Sequence, residues 1–322
     1  SLAEINKTAG AAPAKNSALK NIGKYFQFKF GEMKKARAYY LFLLPYALIF
    51  TTFTVIPVVV SVGLSFTSFN MIQAPRFIFI DNYYQLFMVD DLFLTAIKNT
   101  IVFSAITGPV GYLMCLCFAW LINEMPPKIR AVMTLLFYAP AISGNSYVIF
   151  SFLFSADEYG FLNSRLLNWG FINEAIPWLK SEKTIPACVI VVILWLSLGT
   201  GFLSLIAGLQ SVDHELYEAG AIDGIRNRWQ ELWFITLPSM KEHLMFAAVM
   251  SITGSFGMGA VITSLVGFPS PNYSAHTIVH HLEDYGNTRF EMGYASAIAT
   301  LLFLLMVGAN QLVQKLLRKV GT

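Results

Sequence analysis

The sequence predicts an all-α integral membrane protein of six spanning helices, and three observations lead there. Hydrophobic residues make up 56% of the 322 residues and charged residues only 13%. That is more apolar than a typical soluble domain and carries about half its charge. Apolar runs long enough to cross a bilayer, which needs roughly 20 residues, occur at 39–66, 94–122, 130–154, 185–209, 242–266 and 292–313. Finally, the runs are continuous. They lack the dyad alternation of barrel strands, which leaves helices as the form that satisfies its own backbone in lipid.

Lys and Arg set the expected orientation. With six spans, both termini and the loops after spans two and four share one side, and that side holds sixteen of the 22 basic residues. The positive-inside rule makes it cytoplasmic. The net charge of +3 is then an orientation device and not a nucleic-acid signal. The expected organisation is a cytoplasmic tail at 1–38, a transmembrane domain at 39–316 and a short cytoplasmic tail at 317–322.

Taken in order, the N-terminal tail has no apolar core and does not read as a cleavable signal. Its second half mixes Lys20, Lys24 and Lys29 with Tyr25, Phe26, Phe28 and Phe30. It fits either a segment lying on anionic lipid or capping a pore, or a basic leader that serves only topology. In span two, Cys115 and Cys117 are two apart and face different ways, and Cys188 lies in span four. Neither a disulfide framework nor a zinc site follows.

Polar groups inside lipid-length helices suggest a solute path. Span three carries Ser143, Asn145 and Tyr147 just after Pro140, a residue that can kink a helix. Span four carries Ser197 and Thr200 beside glycines, and span five carries Ser255, Phe256 and Met258. Hydroxyl and amide groups next to flat apolar surface suit a solute that carries both hydroxyls and apolar faces. The same small residues also serve helix packing in membranes. Asn145 leads the set because an amide is harder to hide than a hydroxyl.

Between spans four and five lies a charged island with Glu218, Asp223, Arg226, Arg228 and Glu231 within fourteen residues. At about 2.5–3.5 kcal/mol for each charge at a bilayer centre, it must sit outside the lipid. Ser211 or Asp213 can cap a helix that Gly224 ends. Tyr217, Gly220, Ala221 and Gly224 would then share a face of little bulk, open to close approach. Asn227 and Gln230 resemble a capping box for a second helix, with Trp229, Leu232, Trp233 and Thr236 on one side and Pro238 ending it. The island reads as a docking knob or as an amphipathic connector at the lipid surface.

The outer loops at 155–184 and 275–284 read as contact surfaces. His276 and His280 at i, i+4, with His281, Glu283 and Asp284 nearby, could hold a metal. The second position of an HExxH pair is Thr277, however, and a surface contact is the expectation. Trp169, Trp178, Tyr83 and Tyr84 read as interfacial anchors.

At the island the chain resembles a known family. Glu218, Ala219, Asp223, Gly224, Ile235, Leu237 and Pro238 are similar to the EAA loop of permease subunits of bacterial ATP-binding-cassette carbohydrate importers of the maltose and alginate type. Trp229–Gln230 fits the carbohydrate version. Gly220 departs from the second alanine, and ten residues separate Gly224 from Ile235 where nine are usual. FIFIDNYYQLF at 77–87, KNTIVFS at 98–104 and RAVMTLLFYAPAIS at 130–143 extend the resemblance across most of 38–320. It implies a type I importer permease fold and docking of the EAA helix (coupling loop 211–240) on a cytoplasmic ATPase. It further implies a second permease, two ATPase subunits holding ATP and Mg, and a periplasmic binding protein that delivers an oligosaccharide such as alginate or a related fragment. The chain itself has no G-x-x-x-x-G-K-[ST].

Two other classes stay open. An ion-driven secondary carrier or channel would ordinarily carry mid-membrane charge, and the six spans carry essentially none away from their ends. A membrane-embedded enzyme would need a nucleophile–base or metal set converging within the spans, and none is legible.

Overall fold

The structure, a computed structural model, describes residues 37–144 and 147–317. The chain divides into two compact units, residues 1–60 and 61–322. The described part of the first is helical: α1 (Arg37–Phe50) passes through a π-helical turn at Thr51–Val55 into α2 (Ile56–Leu64), which runs on into the second unit. The helix over Leu41–Leu64 is long and apolar enough to cross a membrane. Its N-terminal flank, the basic aromatic tail, lies outside the described residues.

The second unit opens with a two-stranded antiparallel ribbon, β1 (Thr67–Ser68) and β2 (Arg76–Phe77), with Thr67 opposite Phe77. A short helix, α3 (Asp81–Met88), is fastened under it by Asn82, whose Nδ2 donates to the carbonyls of Ser65 (2.8 Å) and Thr67 (3.0 Å). Next comes α4 (Asp91–Asn123), unbroken over 33 residues despite Pro109. Asp90 caps its start by accepting the Phe93 N–H.

Among the described residues of this unit, α4 and the last helix, α16 (Met292–Leu317), are the single helices long and apolar enough to cross a membrane. Predicted spans three, four and five are each divided. α5 (Pro127–Ile142) ends two residues after Pro140 and resumes as α6 (Tyr147–Leu153). α8 (Ile185–Leu196) and α9 (Thr200–Ser211) meet at 41°, and α13 (Lys241–Phe256) and α14 (Gly259–Val266) at 44°. With each bent pair as one span, the chain has the six crossings the sequence predicts. The outer loops add α7 (Phe161–Asn168) and α15 (Ile278–Glu283).

α4, α9 and α13 form the centre of the unit, and their close approach has a local cause. A Cβ on Gly201 of α9 would lie 3.4 Å from the backbone of Ala247 on α13. One on Gly111 of α4 would lie 3.0 Å from Ser197 Oγ. Small residues let membrane helices touch backbone to backbone, where dispersion and hydrogen bonds hold them. Three buried clusters run along α4. Phe93 and Ala96 pack with Ile278, Tyr294 and Ile298, Phe103 packs with Ile185 and Ile262, and Cys115, Ala119 and Ile122 pack with Phe202, Leu205 and Leu244.

Candidate functional site

The charged island folds as a helical hairpin. α10 (His214–Ile222) is capped by Asp213, whose Oδ1 accepts the Glu215 N–H at 3.2 Å, while Ser211 stays with α9. It ends in a complete Schellman turn. Ile225 N–H reaches the Gly220 carbonyl at 2.9 Å and Gly224 N–H the Ala221 carbonyl at 3.3 Å, with Gly224 at φ +95°. Only glycine adopts that backbone without penalty. The Ile225 side chain closes back over Gly220.

The second arm begins with α11 (Arg228–Glu231), capped by Asn227 Oδ1 on the Gln230 N–H at 2.9 Å. The capping box is shifted by one, because Gln230 Oε1 accepts the N–H of Arg226 and not that of Asn227. A π-helical turn, Leu232–Thr236, follows and leads into α12 (Leu237–Ser239). Pro238 therefore does not end the helix. The widened turn carries the chain through it, and the break comes at Met240 (φ −100°, ψ 24°). A π turn takes one residue more than an α turn. Ile235 lies within that turn.

The π turn also redraws the faces. Leu232, Ile235, Thr236 and Leu237 turn inward, whereas Trp229, Trp233 and Phe234 are exposed. The expected single face of Trp229, Leu232, Trp233 and Thr236 is thus split, because the extra residue shifts the helical register. The low-bulk face of α10 turns partly inward as well. Gly220 is buried, and a Cβ there would lie 2.5 Å from Ile235 Cδ1. Tyr217 OH meets Thr236 Oγ1 at 2.9 Å. The free face of α10 carries Glu215, Glu218, Ala219, Ile222 and Asp223, with Ile222 86% exposed.

The breaks in spans four and five converge on a cavity of about 380 Å³. Four residues of the expected path line it, namely Ser197, Thr200, Ser255 and Met258, together with Ser251, Thr253 and the glycines at the breaks. Irregular backbone at membrane depth is tolerated where it lines such a space. The serine hydroxyls are largely committed to packing. Ser197 donates to Leu194 O (2.6 Å), Ser255 to Ile252 O (2.8 Å) and Ser251 to Gly108 O of α4 (2.8 Å). Thr200 is the open hydroxyl of the four. Phe256 is buried and does not line the cavity, and Ser143 and Tyr147 lie outside it. Asn145 lies outside the described residues.

Sequence reasoning passed over Thr107 and Tyr112 of α4, which also line the cavity. The signal was present, since Thr100, Ser104, Thr107–Gly108, Gly111 and Cys115 form a small, polar stripe at helical spacing, all of it buried.

The histidines are not a surface contact. His276, His280 and His281 are at most 2% exposed, and no metal-holding group occurs among the described residues. Asp90 is their hub. Its Oδ2 accepts from His281 Nε2 (3.1 Å), Tyr294 OH (2.9 Å) and Tyr285 OH (3.3 Å). His276 Nε2 pairs with His281 Nδ1 at 3.2 Å, and His280 bridges Thr277 to Thr263 of α14. Burial pushes His276 and His280 down to about 4. Burial also lowers His281, against the pull of Asp90. Burial opposes ionisation of Asp90, but the Phe93 N–H and His281 outweigh it and hold its carboxyl below the usual range. The knot straps the loop before α16 onto the start of α4.

Comparison with known proteins fits this architecture. Residues 31–322 match the family described as binding-protein-dependent transport system inner membrane component. The arabinooligosaccharides transport system permease protein AraP of Bacillus subtilis is 30% identical over 286 residues, 88% of this chain and 89% of that protein. The diacetylchitobiose uptake system permease protein DasB of Streptomyces coelicolor is 28% identical over 287 residues, 86% of each. A chain from a bacterial alginate ABC transporter, solved with an alginate pentasaccharide-bound periplasmic protein, superposes with a TM-score of 0.72 at 22% identity. The match covers 91% of this chain and 98% of that one. This chain therefore belongs to the family of binding-protein-dependent transport system inner membrane components, the multi-pass permeases of such systems.

Proposed function

We propose that the chain is the permease subunit through which an oligosaccharide enters the cell, delivered by a periplasmic binding protein and driven by a separate ATPase. The observation that carries the reading is the hairpin 211–240, a Schellman corner at Gly224 that leaves Glu215, Glu218, Ala219, Ile222 and Asp223 free for a partner. In this reading Glu218, Ala219, Gly220, Asp223, Gly224, Ile235, Leu237 and Pro238 form or support the docking surface. ATP and Mg bind on the partner, and this chain hydrolyses nothing itself. The hairpin and both tails lie on the cytoplasmic side, as the basic residues require. A companion permease completes a pathway that Thr200, Ser197, Ser255 and Met258 help to line. The relatives' names supply the substrate class, and hydroxyls beside apolar walls suit it.

The test is reconstitution of this chain with its companion permease, its ATPase subunits and its binding protein. The probe panel is arabinotriose, diacetylchitobiose, lactose and an alginate trisaccharide. Uptake of at least one, dependent on hydrolysable ATP and persistent when ionophores collapse ion gradients, is the expected outcome. Sugar movement by the lone chain, driven by sodium or protons, would replace this reading with the secondary-carrier one.

A further inference from the structure

The hairpin touches the end of α4 at two adjacent points. Arg228 forks between two carboxylates, with Nη1 2.7 Å from Glu231 on its own helix and Nη2 3.3 Å from Glu124. Glu124 is the residue that caps the end of α4. Next to it, the rings of Trp229 and Trp120 lie 5.0 Å apart between centroids. Trp120 and Glu124 are four apart on one face of α4, and Arg228 and Trp229 are consecutive on α11. An ion pair and an aromatic pair are thus set side by side between the same two helices. An ion pair alone at this exposure contributes little. Two contacts in register fix direction as well as distance.

The same face of α4 continues inward. Tyr112, Leu116, Trp120 and Glu124 follow at four-residue spacing, and such residues stack along one side of a helix. Tyr112 lines the cavity. A little further along, Gly108 and Gly111 lie against Ser255 and Ser197, at the breaks in spans five and four. α4 is unbroken over this distance, roughly 18 Å from Glu124 to Tyr112 at 1.5 Å per residue.

We propose that α4 is a push rod, gripped by the hairpin through Glu124–Arg228 and Trp120–Trp229. Through it, displacement of the hairpin reaches the helix breaks that shape the cavity. Glu124 and Arg228 are positioning residues in this scheme, because neither touches solute or nucleotide. The inference rests on the docking reading of the hairpin.

The test uses the assembled complex and whichever panel sugar the native complex takes up. Glu124→Gln and Arg228→Gln should each lower sugar moved per ATP hydrolysed by about two- to fivefold, the range an exposed ion pair spans. The double substitution should cost no more than either alone, and co-purification of the ATPase should stay intact. Strictly additive losses, or no loss, would overturn the grip. A second measurement joins residue 124 to residue 228 with a short thiol crosslinker in a Glu124→Cys, Arg228→Cys, Cys117→Ser background. If the joint moves as one body, crosslinked complex still transports at the rate of the uncrosslinked variant. Loss of transport on crosslinking would overturn the push rod, because hairpin and helix would then have to slide past each other. Loss of ATPase co-purification, or no uptake by the native complex, would instead count against the docking reading.

Discussion

Gly220 and Gly224 are four residues apart and are required for different reasons. At Gly224 a Cβ would meet nothing within 4 Å, but φ is +95°, so any side chain is strained by about 1–2 kcal/mol. Gly224→Ala is expected to loosen the corner and lower ATPase co-purification, with membrane insertion unchanged. At Gly220 the obstacles are the side-chain tips of Ile235 and Ile225. Gly220→Ala, which restores the family's usual alanine and gains about 1 kcal/mol of helix propensity, should retain near-normal transport as Ile235 rotates aside. Gly293 is the strict case. A Cβ there would collide with the backbone carbonyl of Thr67, while its own N–H donates to Phe69 O at 2.9 Å. Backbone cannot rotate away, so Gly293→Ala should cost on the order of 1–3 kcal/mol, read as a lowered melting midpoint in detergent.

At the scale of elements, the histidine knot ties the loop before α16 to the caps of α4 and to α14. Its pH dependence follows from burial. His276 and His280 titrate near 4 when folded and near 6.5 when unfolded. Between those values the unfolded chain binds protons that the folded chain refuses, so stability falls as pH drops from about 6.5 to about 4 and is flat above. The loss is bounded at about 3 kcal/mol for each residue. The melting midpoint of the purified chain should fall across that window, and His276→Gln should flatten the slope. A midpoint independent of pH from 7 to 4.5 would show that the knot stays closed when protonated. The π turn at 232–236 is the other telling element. The wide turn leaves Leu232 and Ile235 in the core with Trp233 exposed.

For the molecule as a whole, the cavity sits where two broken spans meet an unbroken one. Thr200 faces it from the start of α9 and is exposed to it. Thr200→Val keeps the shape and removes one hydroxyl. The expected loss is about 0.5–1.5 kcal/mol of solute binding, seen as roughly a two- to tenfold rise in the KM of uptake, with basal ATP hydrolysis unchanged. An unaltered KM for every panel sugar would assign Thr200 to packing.

Six apolar runs, the charged island, its Gly224 corner and its Asn227 cap were legible in the sequence by itself. Each depends on local composition or on a residue's own backbone preference. The tertiary structure alone decided three other things. Spans four and five are bent, because irregular backbone at membrane depth is tolerated where it lines a cavity, and that cavity is made only between packed helices. The histidines are buried, because Asp90, 191 positions away from His281 in the chain, lies beside them only in the folded bundle. Gly220 of α10 packs on Ile235, because the next helix turns that isoleucine inward toward it. Spacing within one segment cannot report contacts made across the fold, and these three features are made of such contacts.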